Sequence, residues 1–198
     1  VSEPFVEVID EPTLTERVAQ LAERIANDFD GVEPVIIGIL NGSVPFLRDL
    51  TRGLPLRSDI EFLALTRFGH EGRVSIAMDT SIPLLDRSVL LVEDIVDTGL
   101  TMSTLYRMMQ AKGAAEVKTV ALIDKVPRRI VDAPVDYAGF EVGDEYLLGY
   151  GMDWQGRYRN LRSIWAALDL GVLQDDPLAL AHQVFPQHAL QGGGIARR

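Results

Sequence analysis

Three carboxylates and two threonine hydroxyls crowd into the nine residues Glu93-Asp94-Ile95-Val96-Asp97-Thr98-Gly99-Leu100-Thr101. A glycine-bearing turn that opens a helix offers backbone N–H groups and the positive end of the helix dipole, which together suit a phosphate. Thr98 and Thr101 add hydroxyl donors to such a cradle. The acids just upstream would repel a phosphate unless they serve something else, and hard cations such as Mg²⁺ or the hydroxyls of a sugar are their natural partners. Asp-Thr-Gly alone would fit a capped helix with solvated acids. The full run, with three acids after an apolar stretch, points instead to a phosphorylated sugar accompanied by Mg²⁺.

The elements that must position these groups can be read on either side. Val89-Leu90-Leu91-Val92 with Ile95 and Val96 is apolar, β-branched and short, so it reads as a buried strand. From Thr101, Leu105, Met108 and Met109 recur at helical spacing until Gly113. Strand, acidic turn and helix therefore follow one another, and in an open parallel sheet ligands bind at the carboxyl ends of strands. Val35–Leu40 repeats the strand pattern. It is followed by Asn41-Gly42-Ser43 and a helix with an early proline, Pro45, so this turn can also hold an anion or be an ordinary strand-to-helix turn. Asp59–Phe68, Arg73–Met78, Glu116–Ile123 and Ser163–Leu168 read as further strands, and Asp136–Phe140 and Tyr146–Leu148 as short apolar segments separated by Gly143-Asp144. Thr13 and Glu16 stand at capping-box spacing ahead of Leu14, Val18, Leu21, Ala22, Ile25 and Phe29, one face of a helix ended by Asp30-Gly31. Lys125 closes the 116–123 strand and would stand beside the acidic turn, where an ammonium can donate to a ligand acceptor. Gly149-Tyr150-Gly151 lacks the third glycine and following helix of a dinucleotide fingerprint.

Composition narrows the classes. The chain has 198 residues, 47% of them apolar, enough for one core and one domain. A net charge of −10 leaves no basic face for a nucleic acid or an acidic membrane. The absence of cysteine excludes disulfides, a thiolate nucleophile and cysteine-type zinc sites. No apolar run approaches a membrane span and no leader pattern is present, so a cytoplasmic location is expected. His182 and His188 have no metal-ligand pattern of acids around them.

The stretch VEDIVDTGLT closely resembles the phosphoribosyl-pyrophosphate signature of the type I phosphoribosyltransferases, and the flanking motifs resemble the hypoxanthine-guanine branch. The resemblance covers roughly residues 5 to 168. It implies an α/β fold, a mostly parallel twisted sheet flanked by helices with a small C-terminal hood. It implies purine salvage: transfer of the 5-phosphoribosyl group from phosphoribosyl pyrophosphate to hypoxanthine or guanine. Carried onto this chain, Glu93 and Asp94 would hold the ribose hydroxyls and Mg²⁺. Asp97 would be the general base, and Asp97, Thr98, Gly99, Leu100 and Thr101 would cradle the 5′-phosphate. Leu100 replaces a lysine of some relatives, a tolerable change because the contact is made by its amide. Asn41 and Gly42, after a Leu40–Asn41 cis peptide, and Arg159 would bind pyrophosphate. Lys125 would read the 6-oxo group of the purine, Tyr146 would stack on its ring, the Leu147 backbone would meet its edge, and Asp153 would serve a second Mg²⁺.

Some positions depart from the family or leave choices open. Arg67-Phe68 stands where many relatives carry Ser-Tyr, ahead of a loop tip Gly69-His70-Glu71-Gly72 expected to be mobile; Arg67 is a candidate pyrophosphate ligand and His70 a solvated loop residue. Residues 1–170 are expected to form the transferase domain and 171–198 a tail, with a short helix after Pro177 and disorder at Gly192–Gly194. Family members are commonly dimers or tetramers, and Phe46, Leu47 and Leu50 are candidate interface residues. The rival readings are the same fold acting on xanthine or a pyrimidine, and a regulator that binds sugar phosphate or RNA without the main reaction.

Overall fold

A computed structural model describes residues 3–55, 57–68 and 73–186. The loop tip 69–72, the side chains of Arg67 and Phe68, His188 and the 192–194 glycines lie outside what it describes. In chain order the elements are β1 (Phe5–Ile9), α1 (Glu11–Asp28), β2 (Val35–Leu40), α2 (Val44–Gly53), β3 (Asp59–Phe68), β4 (Arg73–Met78) and β5 (Ser88–Val96). There follow α3 (Leu100–Ala111), β6 (Glu116–Asp124), β7 (Tyr137–Glu141), β8 (Tyr146–Leu148), β9 (Ile164–Ala167), α4 (Leu170–Asp175) and α5 (Ala179–Val184), with a single 3₁₀ turn at Val126–Arg128.

Six strands form the main sheet in the order β4-β3-β2-β5-β6-β7, all parallel except the edge strand β4. The near-continuous apolar runs of β2, β5 and β6 follow from burial on both faces. In β5, Leu90 and Val92 face the cluster holding α1 and α2, whereas Val89 and Leu91 face the cluster holding α3. This alternation is the two-residue period of a strand used on both sides. From β2 the chain crosses to β3, outward on one side; from β5 it crosses to β6, outward on the other. The direction of winding therefore reverses between β2 and β5. A crevice opens there at the carboxyl ends, where open α/β sheets bind ligands.

The hood is a separate antiparallel sheet, β1-β9-β8. Its first strand comes from the amino terminus, so the hood is C-terminal in most of its residues but not in all. Under it, Phe5, Leu148, Tyr158 and Leu161 pack with Leu173 of α4 and Leu180 of α5.

Two expectations are corrected. The cap of α1 is Asp10, whose Oδ1 accepts the Thr13 N–H at 2.9 Å, and not Thr13 with Glu16. A cap at Asp10 places Pro12 in the first turn, where a helix has no use for its missing N–H. Phe46, Leu47 and Leu50 are not surface residues; they are buried against α1 in the main core. Exposed apolar side chains include Ile60 and Phe62 of β3 and Ile76 and Met78 of β4.

Candidate active site

The turn after β5 enters α3 through Gly99, whose φ of 84° is left-handed and accessible to glycine without strain. α3 begins with no side-chain cap. A cavity of ≈ 280 Å³ opens at this end, lined by Glu93, Asp97, Thr98, Gly99 and Thr101 among others. The amino end of α3 and the Thr98 and Thr101 hydroxyls border it, groups that complement an anion. Leu100 is 48% exposed and does not line the cavity.

Across the crevice, the turn after β2 contains the cis peptide Leu40–Asn41. Gly42 touches the acidic turn directly: a Cβ on it would lie 1.7 Å from Asp94 Oδ2. Asp94 is buried, and burial pushes its carboxyl up to about 6, against the pull of the Asp94 and Ile95 backbone N–H groups and the Arg159 charge. Arg159 is tied by Nη2 to Asp153 at 2.7 Å and by Nη1 to the Gly151 carbonyl at 2.5 Å.

Beside Asp94 lies a second cavity of ≈ 220 Å³, lined by Asp94, Ile95, Asp97, Lys125, Tyr146, Leu147, Met152 and Asp153. Residues from β5, the end of β6 and the hood thus converge on one space. Lys125 is 6% exposed, and burial lowers its pKa while Asp97 raises it. Its Nζ donates to the Glu145 carbonyl at 2.5 Å. Tyr146 donates its hydroxyl to the Asp153 carbonyl at 2.8 Å and meets Trp154 edge-on, with ring centroids 5.5 Å apart. Tyr146 is therefore held upright at the rim, 37% exposed, with its ring available to a flat ligand. Asp97 lines both cavities.

Among the described residues no group of three or more acidic, histidine or cysteine side chains could hold a metal unaided. Mg²⁺ is commonly held by one or two carboxylates with substrate oxygens and waters completing the shell. Asp94 and Asp153, which line one cavity, offer oxygen donors for that mode, whereas Glu93 lines the other cavity; the buried charge of Asp94 is one that a cation would relieve.

A model of the phosphoribosyl transferase domain family matches residues 6–155. The chain belongs to the phosphoribosyltransferase family. Among its relatives, the hypoxanthine-guanine phosphoribosyltransferase of Aquifex aeolicus is 36% identical over 167 residues, 82% of this chain and 94% of that protein. The bifunctional protein TilS/HprT of Listeria monocytogenes is 35% identical over 158 residues, and this chain spans only 24% of its length. A crystal structure of a hypoxanthine-guanine phosphoribosyltransferase from Bacillus anthracis superposes with a TM-score of 0.79. It is 36% identical, and the match covers 81% of this chain and 97% of that one.

The structure thus gathers Glu93, Asp94, Asp97, Thr98, Gly99, Thr101, Lys125, Tyr146, Leu147 and Asp153 around two adjoining cavities. Arg159 lines neither. It borders a third, of ≈ 390 Å³, with Arg48, Asp49 and Tyr150, and is joined to the crevice by its contacts with Asp153 and Gly151 and by its charge near Asp94. Asn41 is exposed on the far wall and lines none of the three. Sequence reasoning missed Arg128, whose Nε lies 2.6 Å from Asp97 Oδ1 and whose Nη1 lies 2.5 Å from Asp144 Oδ1. The one local signal was its place three residues after Lys125, in a turn that also carries Arg129.

Proposed function

We propose that this chain transfers the 5-phosphoribosyl group from phosphoribosyl pyrophosphate to hypoxanthine or guanine, releasing pyrophosphate and inosinate or guanylate. The observation that carries this reading is the position of Asp97 on the shared wall of a cavity at the amino end of α3 and a cavity lined by Tyr146 and Lys125. A ligand with a phosphate in the first and a flat base in the second would have its sugar beside Glu93 and Asp94.

The chemistry follows from those placements. The bond from the anomeric carbon to pyrophosphate breaks, its electron pair leaves on the pyrophosphate oxygen, and a purine ring nitrogen bonds to the carbon. Asp97 takes the proton from purine nitrogen 7 as general base. The turn from Asp97 to Thr101 holds the 5′-phosphate through backbone and hydroxyl donors, including the Leu100 amide. Arg159 and the Asn41-Gly42 amides stabilise charge on the leaving group, Arg159 after exchanging part of its contact with Asp153. Lys125 donates to the 6-oxo oxygen, which favours hypoxanthine and guanine over adenine. Tyr146 stacks on the ring and the Leu147 main chain meets its edge. Mg²⁺ held near Glu93, Asp94 and Asp153 would neutralise the pyrophosphate oxygens.

In this reading residues 1–170 are the catalytic domain and 171–198 a tail, whose Leu173 and Leu180 pack beneath the hood. No helix among the described residues is long and apolar enough to cross a membrane, and a cytoplasmic enzyme is proposed. We further propose a homodimer or homotetramer joined through the exposed face of β3 and β4. Register places Met78 opposite Ala64, so Met78, Phe62 and Ile60 share a face.

The test offers hypoxanthine, guanine, xanthine and adenine separately with phosphoribosyl pyrophosphate and Mg²⁺. Hypoxanthine and guanine should be converted, with kcat reduced about 10²- to 10⁴-fold in Asp97→Asn, the usual worth of a positioned base. Conversion of xanthine alone would replace the substrate, and conversion of no purine would end the enzymatic reading.

A further inference from the structure

Asp97 does not stand alone at its post. Arg128, on the 3₁₀ turn Val126–Arg128 that follows Lys125, meets Asp97 Oδ1 through Nε at 2.6 Å. The same guanidinium meets Asp144 Oδ1 through Nη1 at 2.5 Å. Asp144 immediately precedes Glu145, whose carbonyl accepts from Lys125, and Tyr146, which roofs the base cavity. One short turn is thereby fastened to the acidic loop on one side and to the hood on the other. We propose that Arg128 is a positioning residue: it fixes the orientation of Asp97 and links it to the loop that carries Tyr146. This inference rests on the proposed reaction and names a further determinant of it.

The alternative is an ordinary surface ion pair. The Asp97 and Arg128 side chains are both 43% exposed, and such pairs contribute little to stability. That weakness separates the two cases, because the consequence for catalysis need not be small. With Oδ1 occupied by a planar, always-charged donor, Oδ2 is the oxygen left to face a proton on the ligand. A carboxylate pinned in one rotamer avoids the cost of finding that orientation at each turnover. The geometry also suits arginine specifically. Nε and Nη1 lie on different edges of one rigid plane and point at two separate acids, which a lysine ammonium could not do with the same fixity. Bonding to Asp144 and then to Asp97 raises the pKa of Arg128, and Arg128 in turn lowers that of Asp144. Both shifts agree with the bridge.

The experiment compares wild type, Arg128→Met, Arg128→Lys, Asp97→Asn and the Asp97→Asn/Arg128→Met double variant, with hypoxanthine, phosphoribosyl pyrophosphate and Mg²⁺. Arg128→Met should keep the wild-type melting temperature and the KM for phosphoribosyl pyrophosphate, because Arg128 does not line the phosphate cavity. Its kcat should fall by about 10- to 100-fold, the scale of a misplaced reacting group. Arg128→Lys should recover part of that loss. In the Asp97→Asn background, Arg128→Met should cost nothing further, because a residue that acts through Asp97 has nothing left to position. Full wild-type kcat in Arg128→Met would overturn the proposal, as would an equal loss in both backgrounds. A wild-type chain inactive towards every purine would remove the functional reading and this proposal with it, an outcome distinct from an active enzyme indifferent to Arg128.

Discussion

Asp94→Asn should make the unliganded protein more stable and the enzyme inactive. The carboxyl is buried against Gly42, and its pKa is raised from 3.8 to about 6, chiefly by burial. At roughly 1.4 kcal/mol per pH unit, that displacement means ionised Asp94 costs the folded state about 3 kcal/mol relative to the unfolded chain. The sign follows from proton counts. Between pH 3.8 and about 6 the folded form holds more of this proton than the unfolded form does, so stability falls as pH rises through that window. Below it the penalty is absent, and above it the penalty is complete. Asparagine does not titrate and escapes the penalty, although its NH₂ group must find an acceptor where a carboxylate oxygen stood, which returns about 1 kcal/mol or more.

The assay is urea denaturation of both proteins without ligand at pH 5 and pH 8. The variant should be more stable by about 1–2 kcal/mol at pH 8, and the gap should be narrower by about 1.4 kcal/mol at pH 5. With phosphoribosyl pyrophosphate and Mg²⁺ the order should reverse. In the proposed reading a cation would supply the countercharge that the buried carboxylate lacks, and ligand at 100 times its Kd would add about 2.7 kcal/mol to the wild type alone. A variant that is less stable at pH 8, or a gap that does not change with pH, would refute the argument that burial of this charge is what the site spends on function.

Two other perturbations address the walls of the site and the outer edge of the sheet. In Gly42→Ala the new Cβ would fall 1.7 Å from Asp94 Oδ2, so the turn or the carboxylate must move; turnover should drop about 100-fold, the cost of roughly 1 Å of displacement. Steady-state kinetics would check this, and wild-type kcat would show that the two loops are not held in register. Phe62→Glu places a charge at the centre of the exposed β3–β4 face and should lower the mass measured by light scattering from that of an oligomer to that of a monomer. An unchanged mass would move the interface elsewhere.

The parts of this molecule that were legible in its sequence are those decided by neighbours along the chain. β2 and the Val89–Val92 and Val120–Ile123 stretches of β5 and β6 are written as apolar runs because both of their faces are covered. The acidic turn was equally plain, since reactive groups and phosphate donors occupy consecutive positions there. β1 went unread because only Phe5 and Ile9 of its five residues are buried, and its partner β9 lies at the other end of the domain. Phe46, Leu47 and Leu50 show the limit of a helical stripe: the pattern reports that one face is apolar but not whether a partner or the protein's own core covers it. The same division runs through the site. Asp94 and Asp97 announce themselves, yet what fixes their state is distant in sequence: Gly42 against one carboxylate, and Arg128, 31 residues on, against the other. Those contacts exist because β2 and β6 flank β5 and bring their following turns to its end. The motif specifies which groups react, and the order of strands in the sheet decides how they are held.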